Sequence, residues 1–248
     1  MGAPVIQGRG RGLGAIRLAA LLLALLGCAG LALLSGPSLA HASACAAQDN
    51  YTGAADGSWE VKASWSKGSA PTTTETACIP EGKGTITIGA GVKAEVKTLL
   101  AQSALHVAST GSLAISEKFF MEEPAKDEET ASRFTDGLTI DAGGLITTAG
   151  NWMLMSGTVL LEGEIKNSPL NINEVVARLE TGTLEGEGTM DIPFGNIGGT
   201  VQPGGADHVG TLHFLAQSGQ REGGTLVLDI ASATSFDRVS LGLSLIHI

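Results

Sequence analysis

The sequence predicts an all-β protein, and within that class a right-handed parallel β-helix with a short N-terminal cap. Composition is the first indication: 35 of the 248 residues are glycine, while only 4% are aromatic and 16% are charged, which fits neither a helical surface nor a disordered chain. The glycines lack the period of three that collagen requires. Spacing is the second indication, because short apolar runs with period two recur at short, regular intervals with glycine between them.

The first element, residues 1–44, has the order of a secretory signal peptide. Three arginines precede an apolar run from Leu18 to Leu34, and small residues that satisfy the A-x-A rule follow. We expect cleavage after Ala44, with Ala42 as the second choice. The alternative is a retained membrane anchor, since about 17 apolar residues lie near the lower limit for spanning a bilayer.

The mature chain is strongly acidic. Residues 1–44 contain three arginines and no acidic residue, so 12 basic and 25 acidic side chains remain after cleavage and the net charge is near −13. Such a chain repels phosphate backbones and anionic lipid surfaces. The composition therefore predicts no nucleic-acid partner, and membrane contact only through the signal segment or a missing downstream region.

Two cysteines, Cys45 and Cys78, remain in the mature chain. In the oxidising compartment that an exported protein enters, an isolated pair most simply forms one disulfide, which contributes about 3 to 4 kcal/mol in the chain-entropy model. No histidine or second cysteine lies at the short spacing of a zinc site. We expect no metal site and no cofactor.

Residues 45–84 are predicted to form the N-terminal cap. The Asp56-Gly57 pair before an aromatic residue indicates a tight turn, in which Gly57 accepts a positive φ. Trp59 and Trp65 are large enough to cover the open end of a core. The alternative is that these two indoles form a platform for a glycan, but buried aromatic residues are more common than ligand-stacking ones.

Residues 85–242 are predicted to form the solenoid. Its clearest stretch is a series of apolar runs that begin six or seven residues apart: Leu138-x-Ile140, Leu145-x-Thr147, Trp152-x-Leu154, Val159-x-Leu161 and Ile165. Three such runs make a coil of about 21 residues, within the range of stacked structural repeats. An antiparallel β-sandwich is the alternative, although it usually has longer strands and wider turn spacing.

Two segments interrupt this pattern. Residues 116–134 concentrate six acidic side chains and are predicted to leave the coil as an acidic loop. Residues 171–179 have apolar residues at helical spacing, and both a short helix and a strand remain open for them. At the other end, residues 243–248 lack the glycine-punctuated pattern, so we expect them to be the artificial end of a fragment.

The cap carries a recognisable signature made of Gly57-Ser58-Trp59, Ser64-Trp65, Pro71 and Cys78-Ile79-Pro80. It resembles the start of secreted bacterial β-helix proteins, in which a Gly-x-Trp and an Asn-Trp pair precede a proline and a strand. Here Ser64 replaces the usual Asn and Glu75 the usual Asp. The segments between Gly199 and Val239 look like the repeat that ends many autotransporter and adhesin passenger domains. The resemblance covers about 75 residues and implies a secreted or surface parallel β-helix, a class that includes adhesins and enzymes.

These observations lead us to expect a secreted or cell-surface bacterial scaffold with an adhesive or structural role. Its expected partners are surface glycans or proteins of a host or cell surface. Two alternatives stay open. One is a lyase or hydrolase that acts on polysaccharides, and the other is a lectin-like module that binds a glycan through Trp59, Trp65 or Trp152.

No catalytic residue is predicted. Four aspartates lie on different coils, mostly beside turns, where aspartate commonly bonds its own backbone: Asp141, Asp191, Asp229 and Asp237. The histidines of the solenoid lack a partnered serine motif of the kind that a catalytic triad needs.

The signal peptide and the disulfide are testable together. When the full chain is expressed in a bacterium with an export pathway, we expect the exported form to begin at Cys45 and its mass to be lower by two hydrogens before reduction. Intact-mass measurement with and without reductant checks both points. An exported or membrane-bound form that retains residues 1–44 would show that the segment is an anchor.

Overall fold

The computed structural model describes residues 47, 49–120, 122–123, 132–133, 137–149, 152–168 and 176–242. The predicted signal peptide, residues 1–44, and the predicted artificial end, residues 243–248, lie outside these ranges. Within them, no helix is long and apolar enough to cross a membrane.

Short strands make up nearly all of the regular structure. The cap and first turns contain β1 (Asp49–Asn50), a 3-10 helix (Lys62–Ser64), β2 (Thr76–Ile79), β3 (Thr85–Ile88), β4 (Lys93–Ala101), β5 (Ala104–Val107) and β6 (Ser112–Phe120). An excursion contains β7 (Glu122–Glu123) and β8 (Ser132–Arg133). The middle turns contain β9 (Leu138–Ile140), β10 (Leu145–Thr148), β11 (Trp152–Met155), β12 (Thr158–Leu161) and β13 (Glu164–Asn167). The last turns contain β14 (Val176–Leu179), β15 (Thr183–Gly186), β16 (Thr189–Asp191), β17 (Phe194–Asn196), β18 (Thr200–Pro203), β19 (Thr211–Phe214), β20 (Ser218–Gln220), β21 (Thr225–Leu226) and β22 (Arg238–Leu241).

The strands stack into three faces. On the first face, β2 and the second half of β4 lead through the end of β6 to β11, β14, β17 and β20. The second face is the series β3, β5, β9, β12, β15, β18 and β21, and the third runs from the first half of β6 through β10, β13, β16, β19 and β22. Strand pairing within these faces is parallel throughout the described residues. The predicted parallel β-helix is therefore confirmed, and the antiparallel sandwich is excluded.

The core is a set of columns of inward-facing side chains. On the second face, Leu105, Leu138, Val159, Leu184 and Val201 pair in register from strand to strand, and all five are buried. Alternation with period two places every second residue of a strand inside, and stacking places it directly on its equivalent in the neighbouring turn.

The predicted runs correspond to β9 through β13, but in two of these strands the buried side is not the predicted one. In β9 and β12 the apolar residues that define the run are the buried ones. In β10 the fully buried residues are Ile146 and Thr148 while Leu145 is half-buried. In β11 Met153 and Met155 are fully buried while Leu154 is half-buried. Apolar residues occupy both sides of these strands, so alternation alone does not identify the inner side.

The two interrupting segments are partly described. β7 and β8 pair antiparallel in a separate two-stranded sheet, with Glu122 opposite Arg133. The start of the predicted acidic loop lies later than expected, because β6 remains in the sheet as far as Phe120. In the second segment, residues 176–179 form β14, which favours the strand over the helix, and residues 171–175 lie outside the described residues.

The cap buries three aromatic side chains at the start of the stack. Trp59 and Trp65 are 1% and 2% exposed, and their ring centroids lie 4.8 Å apart in an edge-to-face arrangement. The Trp65 indole N–H donates to the Trp59 carbonyl at 2.8 Å, and Tyr51 packs edge-to-face on Trp65 at 5.4 Å. The Thr87 carbonyl accepts from the Trp59 N–H at 2.9 Å, so the cap continues the stacking onto β3.

Gly57 has a different role from the one that its sequence context indicates. The positive φ of the turn belongs to Asp56, at 52°, and not to Gly57. A Cβ atom on Gly57 would lie 1.9 Å from the Tyr51 hydroxyl oxygen. Glycine is needed here because the buried tyrosine ring lies against the backbone.

Substitution at this contact should destabilise the cap by overpacking. We expect Gly57→Ala to lower the free energy of unfolding by about 1 to 3 kcal/mol, measured by urea denaturation. Tyr51→Phe removes the clashing oxygen. In the Tyr51→Phe background, Gly57→Ala should therefore lower the free energy of unfolding by less than it does in the wild type. Equal effects of Gly57→Ala in both backgrounds would contradict this account.

Candidate ligand-binding groove

A groove with a volume of about 290 Å³ lies on the outer surface of the first face, over β14, β17 and β20. Its floor contains Gly195 and Gly219, which pair in register. On its other side Gly195 pairs with Arg178 of β14. The outward column of this face therefore changes from a long cationic side chain to two positions with no side chain at all.

The fold itself does not require these two glycines. Neither has a positive φ, a Cβ on Gly219 would meet nothing within 4 Å, and one on Gly195 would meet only Ile197 Cδ1 at 3.5 Å. Glycine inside a strand costs about 0.5–1 kcal/mol relative to alanine and often marks a place where another molecule approaches the backbone. The open floor is therefore a feature of the outer surface and not a packing need of the core.

Two arginines border the groove, Arg178 on β14 and Arg221 just after β20. The backbone N–H of Arg221 donates to the Asn196 carbonyl at 2.8 Å. This bond fixes the backbone of Arg221, from which the exposed side chain extends. Eleven residues line the groove, and none of them is acidic. In a chain of net charge −10, this local absence of acids favours anions over cations in the groove.

The walls combine apolar and hydrogen-bonding groups. Val176, Pro193 and Ile197 contribute apolar surface, whereas Gln217 and Gln220 contribute amides. A volume of about 290 Å³ is at the lower end of the range for small-molecule sites, which are mostly apolar with a few placed polar groups. The arrangement can hold a flat ligand with an anionic substituent against the bare backbone.

The tryptophans that were candidates for glycan contact lie elsewhere. Trp59 and Trp65 are buried in the cap, so the hypothesis that they form a glycan platform does not fit the structure, and their contacts are those of a cap. The side chain of Trp152, the third candidate, is outside what the structure describes.

Of the two cysteines in the predicted disulfide, only Cys78 lies within the described residues. Cys78 is fully buried in β2, where it pairs with Asn50 of β1, and Cys45 lies outside the described residues a few positions before β1. The pairing of the two cysteines stays a prediction.

The four aspartates do not gather at one site, although Asp229 and Asp237, which were expected on different coils, are joined by hydrogen bonds. Asp237 is 4% exposed, and its two carboxylate oxygens accept from the backbone N–H groups of Gly210 and Asp229, each at 2.8 Å. Asp141 lies on another turn, with Oδ2 3.0 Å from His106 Nε2. The geometry at Asp237 is that of a carboxylate that holds two loops together, in keeping with the expected structural role.

Three glutamates lie close together around the turn after β12. The pKa of Glu162 is raised above its ordinary value of 4.5, first by burial and then by the negative charge of Glu187, with a smaller contribution from Glu185; a hydrogen bond from the Glu187 backbone opposes the rise. Among the described residues, no group of three or more His, Cys, Asp or Glu side chains is arranged to hold a metal ion.

The groove was not found from the sequence. Gly195 and Gly219 lie inside strands and not between them, but the polar residues around Gly219 give no sequence signal of a strand. Whether they lie in one row with Arg178 depends on the register of turns that differ in length. Comparison of the chain with protein-family models, curated proteins and solved structures found no match.

The raised pKa of Glu162 predicts a pH-dependent stability. Since folding raises this pKa, ionised Glu162 disfavours the folded state, and its unfavourable effect appears as pH rises above 4.5 and through the raised pKa. We expect Glu162→Gln to raise the thermal midpoint at neutral pH and to leave it nearly unchanged well below pH 4.5.

The matched control is Glu164→Gln, because Glu164 pairs with Lys166 at 2.7 Å and its neutralisation brings no such gain. Thermal unfolding of both variants across this pH range is the measurement. A Glu162→Gln variant that is no more stable than the wild type at neutral pH would contradict the proposed charge repulsion.

Proposed function

We propose that this chain is a secreted or cell-surface β-helical scaffold with an adhesive role, and that the groove over β14, β17 and β20 is its ligand contact. The observation that carries the proposal is the pair of strand glycines between Arg178 and Arg221, which forms an open floor without serving the core. The signal-like segment, residues 1–44, and the resemblance to bacterial passenger domains support the extracytoplasmic location.

The fold suits such a role for a physical reason. A parallel β-helix is stacked turn on turn, so its outer faces are extended and rigid and their side chains lie in regular rows about 4.8 Å apart. A ligand that binds across several strands meets groups whose positions are set by the backbone hydrogen bonds and not by a flexible loop. Adhesion through many weak copies of one contact then gains strength from multivalency.

The proposal can be tested by adhesion of beads that carry the exported chain. Beads are washed over cell surfaces and over glycan-coated and protein-coated surfaces, and the retained fraction is counted. We expect retention on at least one surface, and a fall of about tenfold or more for Arg178→Gln with Arg221→Gln, because charge-assisted hydrogen bonds are lost.

The matched control is Lys97→Gln with Arg238→Gln, which removes the same charge from β4 and β22 outside the groove. It should retain adhesion. Equal loss in both double variants would show that adhesion is non-specific electrostatics, and no retention of the wild type on any surface would overturn the adhesive role.

A further inference from the structure

We propose that the groove over β14, β17 and β20 binds a carboxylated glycan, that is, a saccharide chain that contains uronate residues. This inference rests on the proposed adhesive function and names its ligand class. It follows from three properties of the groove taken together: the bare floor, the mixed walls and the two arginines.

The bare floor favours a ring that lies flat. At Gly195 and Gly219 a ligand can contact the strand backbone directly, because no Cβ atom intervenes and the space above Gly219 is empty for at least 4 Å. Stacked strands are about 4.8 Å apart, so Arg178 and Gly219, two strands apart, have Cα atoms separated by roughly 9–10 Å. An extended ligand that runs along the helix axis therefore passes from Arg178 across both glycines, and Arg221 lies two residues beyond Gly219 along the chain.

The mixed walls favour a saccharide. Sugar rings present C–H groups on their faces and hydroxyl groups at their edges. Val176, Pro193 and Ile197 offer apolar surface for the C–H groups. The Gln217 amide can donate to and accept from hydroxyls, and the Gln220 amide, whose Nε2 donates to the Gly224 carbonyl at 2.8 Å, can accept through its oxygen. A purely apolar ligand would cover the Gln217 amide without offering it a hydrogen bond, which is costly.

The arginines favour a carboxylate on that saccharide. A guanidinium group binds a carboxylate through two parallel N–H···O bonds. Arg178 also interacts within the chain, so the carboxylate contact is assigned first to Arg221. The Arg221 guanidinium has no partner among the described residues.

The charge of the whole chain separates carboxylates from phosphates. A carboxylate carries one negative charge and a phosphate monoester nearly two. The chain has a net charge of −10, so the surroundings of the groove repel the doubly charged group more strongly than the singly charged one. A ligand with single, spaced carboxylates fits this balance best.

The test is calorimetric titration of the exported full chain with an oligogalacturonate, with the neutral oligogalactan of equal length, and with a sulfated and a phosphorylated oligosaccharide. We expect the uronate to bind at least about tenfold more tightly than the neutral chain and more tightly than the sulfated and phosphorylated ones. Comparable or tighter binding of any of the other three would overturn the proposal.

Gly219→Thr is the decisive variant. Threonine favours a strand, and no atom lies within 4 Å of the new Cβ, so the free energy of unfolding should stay equal or rise while the affinity for the uronate falls about tenfold or more. Ala104→Thr adds the same side chain to β5 on the second face and should leave the affinity unchanged. Undiminished affinity of Gly219→Thr would place the ligand elsewhere and overturn the proposal.

Two further substitutions test the chemistry at Arg221. Arg221→Gln should weaken uronate binding and leave binding of the neutral chain unaltered, and Arg221→Lys, which keeps the charge but loses the planar fork, should restore only part of the affinity. If the uronate does not bind but beads still adhere through Arg178 and Arg221 to another surface, the ligand class is wrong and the adhesive function stands.

Discussion

The structure depends on in-register parallel stacking. Each strand contributes alternate side chains to the interior, and the stack closes only if every strand places the same positions inside. A slip of one residue would turn Val159 outward and Leu160 inward, away from the column that Leu138 and Leu184 continue. The same constraint aligns the outer residues, so the row Arg178, Gly195 and Gly219 exists because the inner row is fixed.

The groove on the first face differs in charge from the chain as a whole. The chain is acidic, and several of its lysines are paired with neighbouring glutamates, as Lys67 is with Glu75 and Lys97 with Glu117 at 3.1 Å. The pKa of Glu75 is lowered accordingly, chiefly by the Lys67 hydrogen bond. The eleven residues that line the groove, by contrast, include two arginines and no acidic residue, which favours positive potential where the backbone is bare.

The sequence was informative where its pattern is local. Runs six or seven residues apart predict β9 to β13 because strand length and turn glycines depend on neighbouring residues. It was less informative where two sides of a strand are both apolar, as at Leu145 and Ile146. Gly57 shows the same limit: its neighbours indicate a turn, while its requirement comes from Tyr51, which reaches it only in the folded cap.

From the sequence alone, the fold class and the acidic character are determined, because composition and period do not depend on distant contacts. The tertiary structure decided the inner side of β10 and β11, the burial of Trp59 and Trp65, and the groove. These features depend on which turns lie next to each other, and turns of unequal length place Arg178, Gly195 and Gly219 in one row that no fixed sequence spacing reveals.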